Sequence, residues 1–110
     1  MGTLHGRAES ENPLDSDEAL REELTGLRGE IDAFDLDIVA ILGERIQSCL
    51  RVGEIKAELG EEIRVPEREK EVLDRVTEAN EGSAIPEEGI RKIFSGILSV
   101  GRSVQGNGST

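Results

Sequence analysis

The sequence has no tryptophan, no tyrosine and only two phenylalanines. A β-sandwich or barrel draws on aromatic and β-branched residues, so that class is disfavoured from the start. A single cysteine, Cys49, excludes an internal disulfide and fits a reducing cytoplasm. A single histidine, His5, sits in a Gly-containing opening stretch, which removes His-based zinc sites and imidazole catalysis from consideration. Positive charge is scarce: 13 Lys and Arg stand against 24 Asp and Glu, for a net charge of −11. Nothing resembles a basic face able to displace counterions from nucleic acid. No apolar run approaches the length of a membrane span, and no charged-then-apolar leader opens the chain. Any chemistry must therefore come from Arg, Lys, Glu and Gln, with neither metal nor cofactor expected.

What the chain does have is an aliphatic seam. Stepping by fours and threes gives Leu20, Leu24, Leu27, Ile31, Phe34, Ile38, Ile41, Arg45, Ser48, Val52, Ile55 and Leu59, and ten of these twelve positions are apolar. That spacing predicts one long helix with a heptad seam. Arg45 and Ser48 interrupt it where the interior should be driest. A guanidinium cannot discard its charge, so burying it is costly unless an anion meets it. An anionic ligand inside a helical bundle is the simplest reason to keep it there.

Turn signals divide the rest. Residues 1–15 read as a flexible polar tail, 16–105 as one helical domain, and 106–110 as a second flexible tail. Asp15, Ser16 or Asp17 is expected to cap the first helix, which should stop at Gly60. Pro66 suits the first position of a second helix, with Glu67 and Glu69 in its first turn and Val72, Leu73, Val76 and Ala79 on its buried side. Gly82 and Ser83 break it. A third helix from Pro86 carries Ile90, Ile93, Phe94, Ile97, Leu98, Gly101, Val104 and Gln105 at helical spacing. The fold class is therefore all-α, a three-helix protomer led by one very long helix. At 1.5 Å per residue some forty residues span roughly 60 Å, whereas a compact domain of this size is about 35 Å across. One copy cannot cover such a seam, so an intertwined six-helix homodimer is expected. The plainer rival is a two-stranded coiled coil, but two breaks favour folded-back protomers.

Several polar residues do not suit a plain bundle. Arg45 and Lys56, eleven residues apart, share a helix face and stand roughly 16 Å apart along the axis. Arg28 is about 100° off that face, so it would serve a pocket in a partner chain more readily than one in its own. Arg68 and Glu69 lie one turn before Val72 and Leu73, at the edge of the core face. Gly101 and Gln105 continue the inward stripe of the third helix. Taken singly, Arg28, Lys56 and Arg68 read as solvated surface charges, Gln105 as an idle terminal residue, Ser48 and Cys49 as small fillers, and Arg45 as half of an ion pair with Glu69. Their joint arrangement is what points to a site.

The runs Leu27-Arg28-Gly29-Glu30-Ile31-Asp32-Ala33-Phe34-Asp35, Glu44-Arg45, Val52-Gly53-Glu54-Ile55-Lys56, Pro66-Glu67-Arg68-Glu69, Ile93-Phe94 and finally Gln105 together resemble the all-helical chorismate mutases over about residues 20–105. The resemblance implies an interlocked dimer with two active sites. It implies rearrangement of chorismate to prephenate, the shikimate-pathway step toward phenylalanine and tyrosine, without cofactor or covalent intermediate. By resemblance Arg45 and the partner's Arg28 hold the substrate carboxylates. Lys56 contacts a carboxylate and the ether oxygen, Gln105 donates to that oxygen, Arg68 lines the carboxylate side, and Glu69 accepts from the ring hydroxyl.

Two positions depart from the family pattern. Val65 stands where many members carry an Asp that holds the ring hydroxyl, and Gly101 where many carry a Ser that touches substrate. Both changes remove polar contacts. Some actinobacterial-type mutases similarly lack the Asp, carry a Gly-Arg near the C-terminus as Gly101-Arg102 does here, and are activated by a partner synthase of the shikimate pathway. Gln105 and the Pro-Glu-Arg-Glu run look more like self-sufficient forms. Isochorismate-pyruvate lyases share the implied fold and Arg/Lys set, but Glu69 counts against them. A mutase for 4-amino-4-deoxychorismate remains an alternative because Val65 alters the pocket around the ring substituent. So does a non-catalytic helical dimerisation protein.

Overall fold

The computed structural model describes residues 13–108, which form three α-helices and, among the described residues, no strand. They are α1 (Pro13–Leu59), α2 (Pro66–Ala79) and α3 (Glu87–Gly108). Helix α1 begins at Pro13, ahead of the expected cap at Asp15 to Asp17. Proline suits a first turn because its missing N–H would have had no partner there. Residues 13–15 are thus helical, while the rest of the expected N-terminal tail, His5 included, lies outside the described residues.

The end of α1 follows the sequence expectation. Gly60 adopts φ 70°, the left-handed conformation that a β-carbon disfavours. Its N–H donates to the Ala57 carbonyl at 3.4 Å, and the Glu61 N–H donates to the Lys56 carbonyl at 2.9 Å. This is the paired closure that satisfies the last carbonyls of a helix. Helix α2 starts with Pro66 behind an extended Val65 (φ −121°, ψ 98°), which supplies no side-chain cap, as expected for valine. It ends at Ala79, slightly before the expected break, and Gly82 (φ 84°) completes the turn. Polar side chains rigidify that turn. Asn80 Nδ2 donates to the Ile85 carbonyl at 2.8 Å, Ser83 Oγ donates to Asn80 Oδ1 at 2.6 Å, and the Ile85 N–H donates to Ser83 Oγ at 3.0 Å. The Ile90 N–H donates to the Pro86 carbonyl at 3.1 Å, leaving Pro86 just outside α3. At its other end α3 continues to Gly108, so residues 106–108 are helical rather than tail; 109 and 110 lie outside the described residues.

Two compact units divide the chain, residues 1–41 and residues 42–110. In the first, the described part is the leading stretch of α1, and its seam stands open: Leu20 is 63%, Phe34 61% and Ile41 64% exposed. In the second unit α2 packs on α3. Val72 is buried between them at 8% exposure, with Leu73, Val76, Ile90, Phe94, Ile97 and Leu98 half-buried around it. The trailing stretch of α1 approaches α3 at Gly53, where a β-carbon would lie 2.7 Å from the Gln105 carbonyl oxygen and 2.8 Å from its Cα. A second close approach lies one turn earlier on each helix. A β-carbon on buried Gly101 would meet Cys49 Sγ at 3.2 Å and Arg45 Nη1 at 3.5 Å. Two small residues thus let the helices come together and fix their register.

Candidate active site

Where α1, α2 and α3 meet in the second unit they enclose a cavity of about 420 Å³. Arg45, Ser48, Cys49, Val52 and Lys56 line it from α1, and Ile63 and Val65 from the connector. Arg68, Glu69 and Val72 come from α2, with Leu98, Gly101, Arg102 and Gln105 from α3. The size is that of a small-molecule site, with apolar walls and a few convergent polar groups. Seven of the eight positions singled out from sequence line it: Arg45, Lys56, Val65, Arg68, Glu69, Gly101 and Gln105. Arg28 does not; it lies exposed in the first unit.

Lys56 and Gln105 converge although 49 residues separate them. Lys56 Nζ donates to the Ile63 carbonyl at 2.7 Å and to Gln105 Oε1 at 3.3 Å. An ammonium carries three N–H bonds, so one remains for a ligand. Because Gln105 accepts through its oxygen, its amide N–H₂ is left to donate into the same space. The Gly53 contact presses the Gln105 backbone directly against α1, which fixes where this pair can stand. The turn at Gly60 holds the Lys56 carbonyl, so the pair sits on a helix end that is itself closed.

Arg45 is half-buried, and Nη1 donates to Cys49 Sγ at 3.7 Å, a weak partner for a guanidinium. The ion pair with Glu69 considered from sequence does not form. Among the described residues no carboxylate lies within salt-bridge distance of Arg45 or of Lys56. Glu69 is instead taken by two other arginines. Arg64 Nε donates to Oε1 at 3.3 Å, and Arg102 Nη1 donates to Oε2 in a short contact. Burial at 16% side-chain exposure pushes the Glu69 carboxyl up, but the hydrogen bonds and charges of Arg102 and then Arg64 outweigh it and hold it below the usual carboxylate range. Arg68 lines the cavity with its side chain 56% exposed and pairs with Glu71 at 2.7 Å. In a chain of net charge −11, four cationic side chains and one carboxylate line this cavity. With Arg45 and Lys56 uncompensated and partly desolvated, it is built to receive an anion.

Arg64, Arg102 and Ile63 were not singled out as site residues from sequence. Ile63 acts through its carbonyl, for which no side-chain pattern exists. Arg102 owes its place to a tertiary pairing with Glu69, 33 residues away, that spacing along α3 does not announce, and Arg64 reaches Glu69 from the connector, where no helical period applies.

The model of the chorismate mutase type II family matches residues 27–106, and the chain belongs to that family. It is 38% identical over 87 residues to a bifunctional chorismate mutase/prephenate dehydratase of Aquifex aeolicus, covering 76% of this chain and 24% of that protein. A bifunctional chorismate mutase/prephenate dehydratase of Neisseria gonorrhoeae is 35% identical, covering 74% of this chain and 22% of that protein. A chorismate mutase of Methanocaldococcus jannaschii is 33% identical over 84 residues, covering 76% of this chain and 85% of that protein. The chain thus spans about a quarter or less of the bifunctional relatives and most of the archaeal one. No solved structure matches the chain at a significant level.

Proposed function

We propose that this protein rearranges chorismate to prephenate, as a homodimer whose sites are shared between copies. The observation that carries this is the convergence of Lys56 Nζ and Gln105 Oε1 at 3.3 Å inside a cavity otherwise rich in cations. In the proposed mechanism one substrate carboxylate lies on Arg45, beside Arg68, and the other is met by Arg28 of a second copy. Held there, the enolpyruvyl arm is kept over the ring, and the entropy of that arrangement is lost on binding rather than in the transition state. The ether C–O bond breaks as the new C–C bond forms, with no proton transferred and no covalent bond to protein. Negative charge develops on the ether oxygen. The remaining N–H of Lys56 and the amide N–H of Gln105 meet it there, in a partly dry pocket where such donors act most strongly. Glu69 accepts from the ring hydroxyl.

The homodimer is supported by the open seam of α1 and by the scarcity of buried apolar side chains. Val72 is the sole buried hydrophobic residue among those described, far too little apolar burial for a stable domain. An apolar groove of about 330 Å³ lined by Leu42, Ile46, Ile93, Ile97 and Val100, with Arg45 and Gly96, offers a second copy further surface. The test is turnover of chorismate by the wild type and by Lys56→Ala. Removing one such donor should lower kcat on the order of 10²–10³-fold while helicity is kept. Full activity in the variant, or no turnover by the wild type, would overturn the proposal.

A further inference from the structure

We infer that Arg102, with Arg64, makes this site select a neutral hydroxyl over an ammonium on the substrate ring. The inference rests on the mutase reading above and concerns which ring substituent that site takes. Among the described residues Glu69 is the sole carboxylate lining the cavity, and each of its oxygens already accepts from a guanidinium: Oε1 from Arg64 and Oε2 from Arg102. Each oxygen keeps a further lone pair, so the group can still accept a hydrogen bond from substrate. Its charge, however, is more than matched. Two arginines on one carboxylate leave a local surplus of one positive charge, and Arg68, Arg45 and Lys56 line the same cavity from α2 and α1.

A hydroxyl meeting Glu69 needs an acceptor and brings no charge. An ammonium in the same place brings a positive charge toward two guanidiniums, and the single carboxylate that would have welcomed it is already neutralised. The amino analogue of the substrate, protonated at neutral pH, is therefore penalised although its N–H bonds could satisfy Glu69. Without the arginines a bare carboxylate would favour the ammonium. Arg102 is the stronger lever of the two, because its side chain is 32% exposed against 65% for Arg64 and is screened less by water.

The experiment compares kcat/KM for chorismate and for 4-amino-4-deoxychorismate in the wild type, Arg102→Gln, Arg102→Lys and Arg64→Gln. Removing one charge in a half-wet cleft, taken at a separation of roughly 6 Å and an effective dielectric of about 40, corresponds to roughly tenfold in the ratio of the two values. The wild type should favour chorismate. Arg102→Gln should lower that preference about tenfold and Arg64→Gln by a smaller factor, while Arg102→Lys should stay near the wild type. A merely structural role would depress both substrates together and leave the ratio unmoved. An unchanged ratio in both Gln variants, or a ratio in Arg102→Lys as low as in Arg102→Gln, would overturn the inference and leave the mutase reading intact. A wild type preferring the amine would overturn it too. If the wild type turned over neither compound, the mutase reading itself would fall. Should Arg102→Gln fold poorly, Arg64→Gln, at an exposed connector position, still decides the matter.

Discussion

Replacing Gly53 by alanine adds one methyl group where α1 and α3 come closest. The new carbon would stand 2.7 Å from the Gln105 carbonyl oxygen, 2.8 Å from its Cα and 3.1 Å from its carbonyl carbon. All three are backbone atoms, so no flexible side chain can move aside. Ordinary carbon–oxygen approaches begin near 3.3 Å, so the helices must separate by about 0.6 Å. Overpacking of this kind costs about 1–3 kcal/mol, against a gain of about 1 kcal/mol from replacing glycine with alanine in a helix interior. Net destabilisation should thus stay within about 2 kcal/mol, and the protein should still fold. Activity should suffer more, because the displaced residue is Gln105 and its partner is Lys56 at 3.3 Å. A shift of that size turns an adequate hydrogen bond into a poor one, and kcat should fall at least tenfold. Gly29→Ala is the control: it lies opposite the seam, its β-carbon meets nothing within 4 Å, and it should stabilise by about 0.5–1 kcal/mol. Urea denaturation at fixed protein concentration and steady-state turnover of both variants make the comparison. Gly53→Ala with wild-type turnover and a stability gain matching Gly29→Ala would refute the claim that this contact positions Lys56 and Gln105 for the proposed reaction.

Three further predictions concern assembly, capping and pH. Arg28→Ala and Lys56→Ala should each be inactive alone, yet mixing them under exchange conditions should restore about a quarter of wild-type activity, since half the dimers are mixed and one of their two sites is intact. Activity that stays absent on mixing would argue against shared sites. Val65→Thr supplies the missing side-chain cap of α2 at nearly constant volume and should stabilise by about 1 kcal/mol in chemical denaturation. For Glu69 the folded carboxyl titrates below its unfolded range, so its ion pairs stabilise fully above about pH 4.3 and lose that contribution as pH falls through the depressed value. Glu69→Gln should therefore be less stable than wild type near neutrality. The gap should narrow below about pH 4, read as denaturation midpoints across pH.

How much of this was legible in the sequence depends on whether the signal was local. The three helices were, because apolar spacing, Gly60 and the Pro66 and Pro86 positions each act within a few residues of themselves. The helix starts at Pro13, ahead of the capping candidates Asp15, Ser16 and Asp17, because a proline suits a first turn equally well. Arg45 was legible as an anomaly, since a permanent charge in an apolar seam has no local reason to exist. The resemblance grouped Lys56 with Gln105, but why they meet depends on Gly53, and a glycine inside a helix announces only that something packs close, not what. Arg102 shows in the sequence only as half of the Gly101-Arg102 pair, which does not reveal what it touches. Its meaning arises from Glu69, 33 residues away, and from the packing of α2 on α3. That difference has a physical basis. Cations meant for a ligand must stay unpaired and so stand out in a sequence as misplaced charge, as Arg45 does. A cation that tunes another side chain is satisfied in the fold, and from sequence it is indistinguishable from the many solvated charges of an acidic helical protein. The selectivity proposed for the ring substituent draws on the satisfied arginines rather than the unsatisfied ones, and a satisfied charge is what a sequence conceals best.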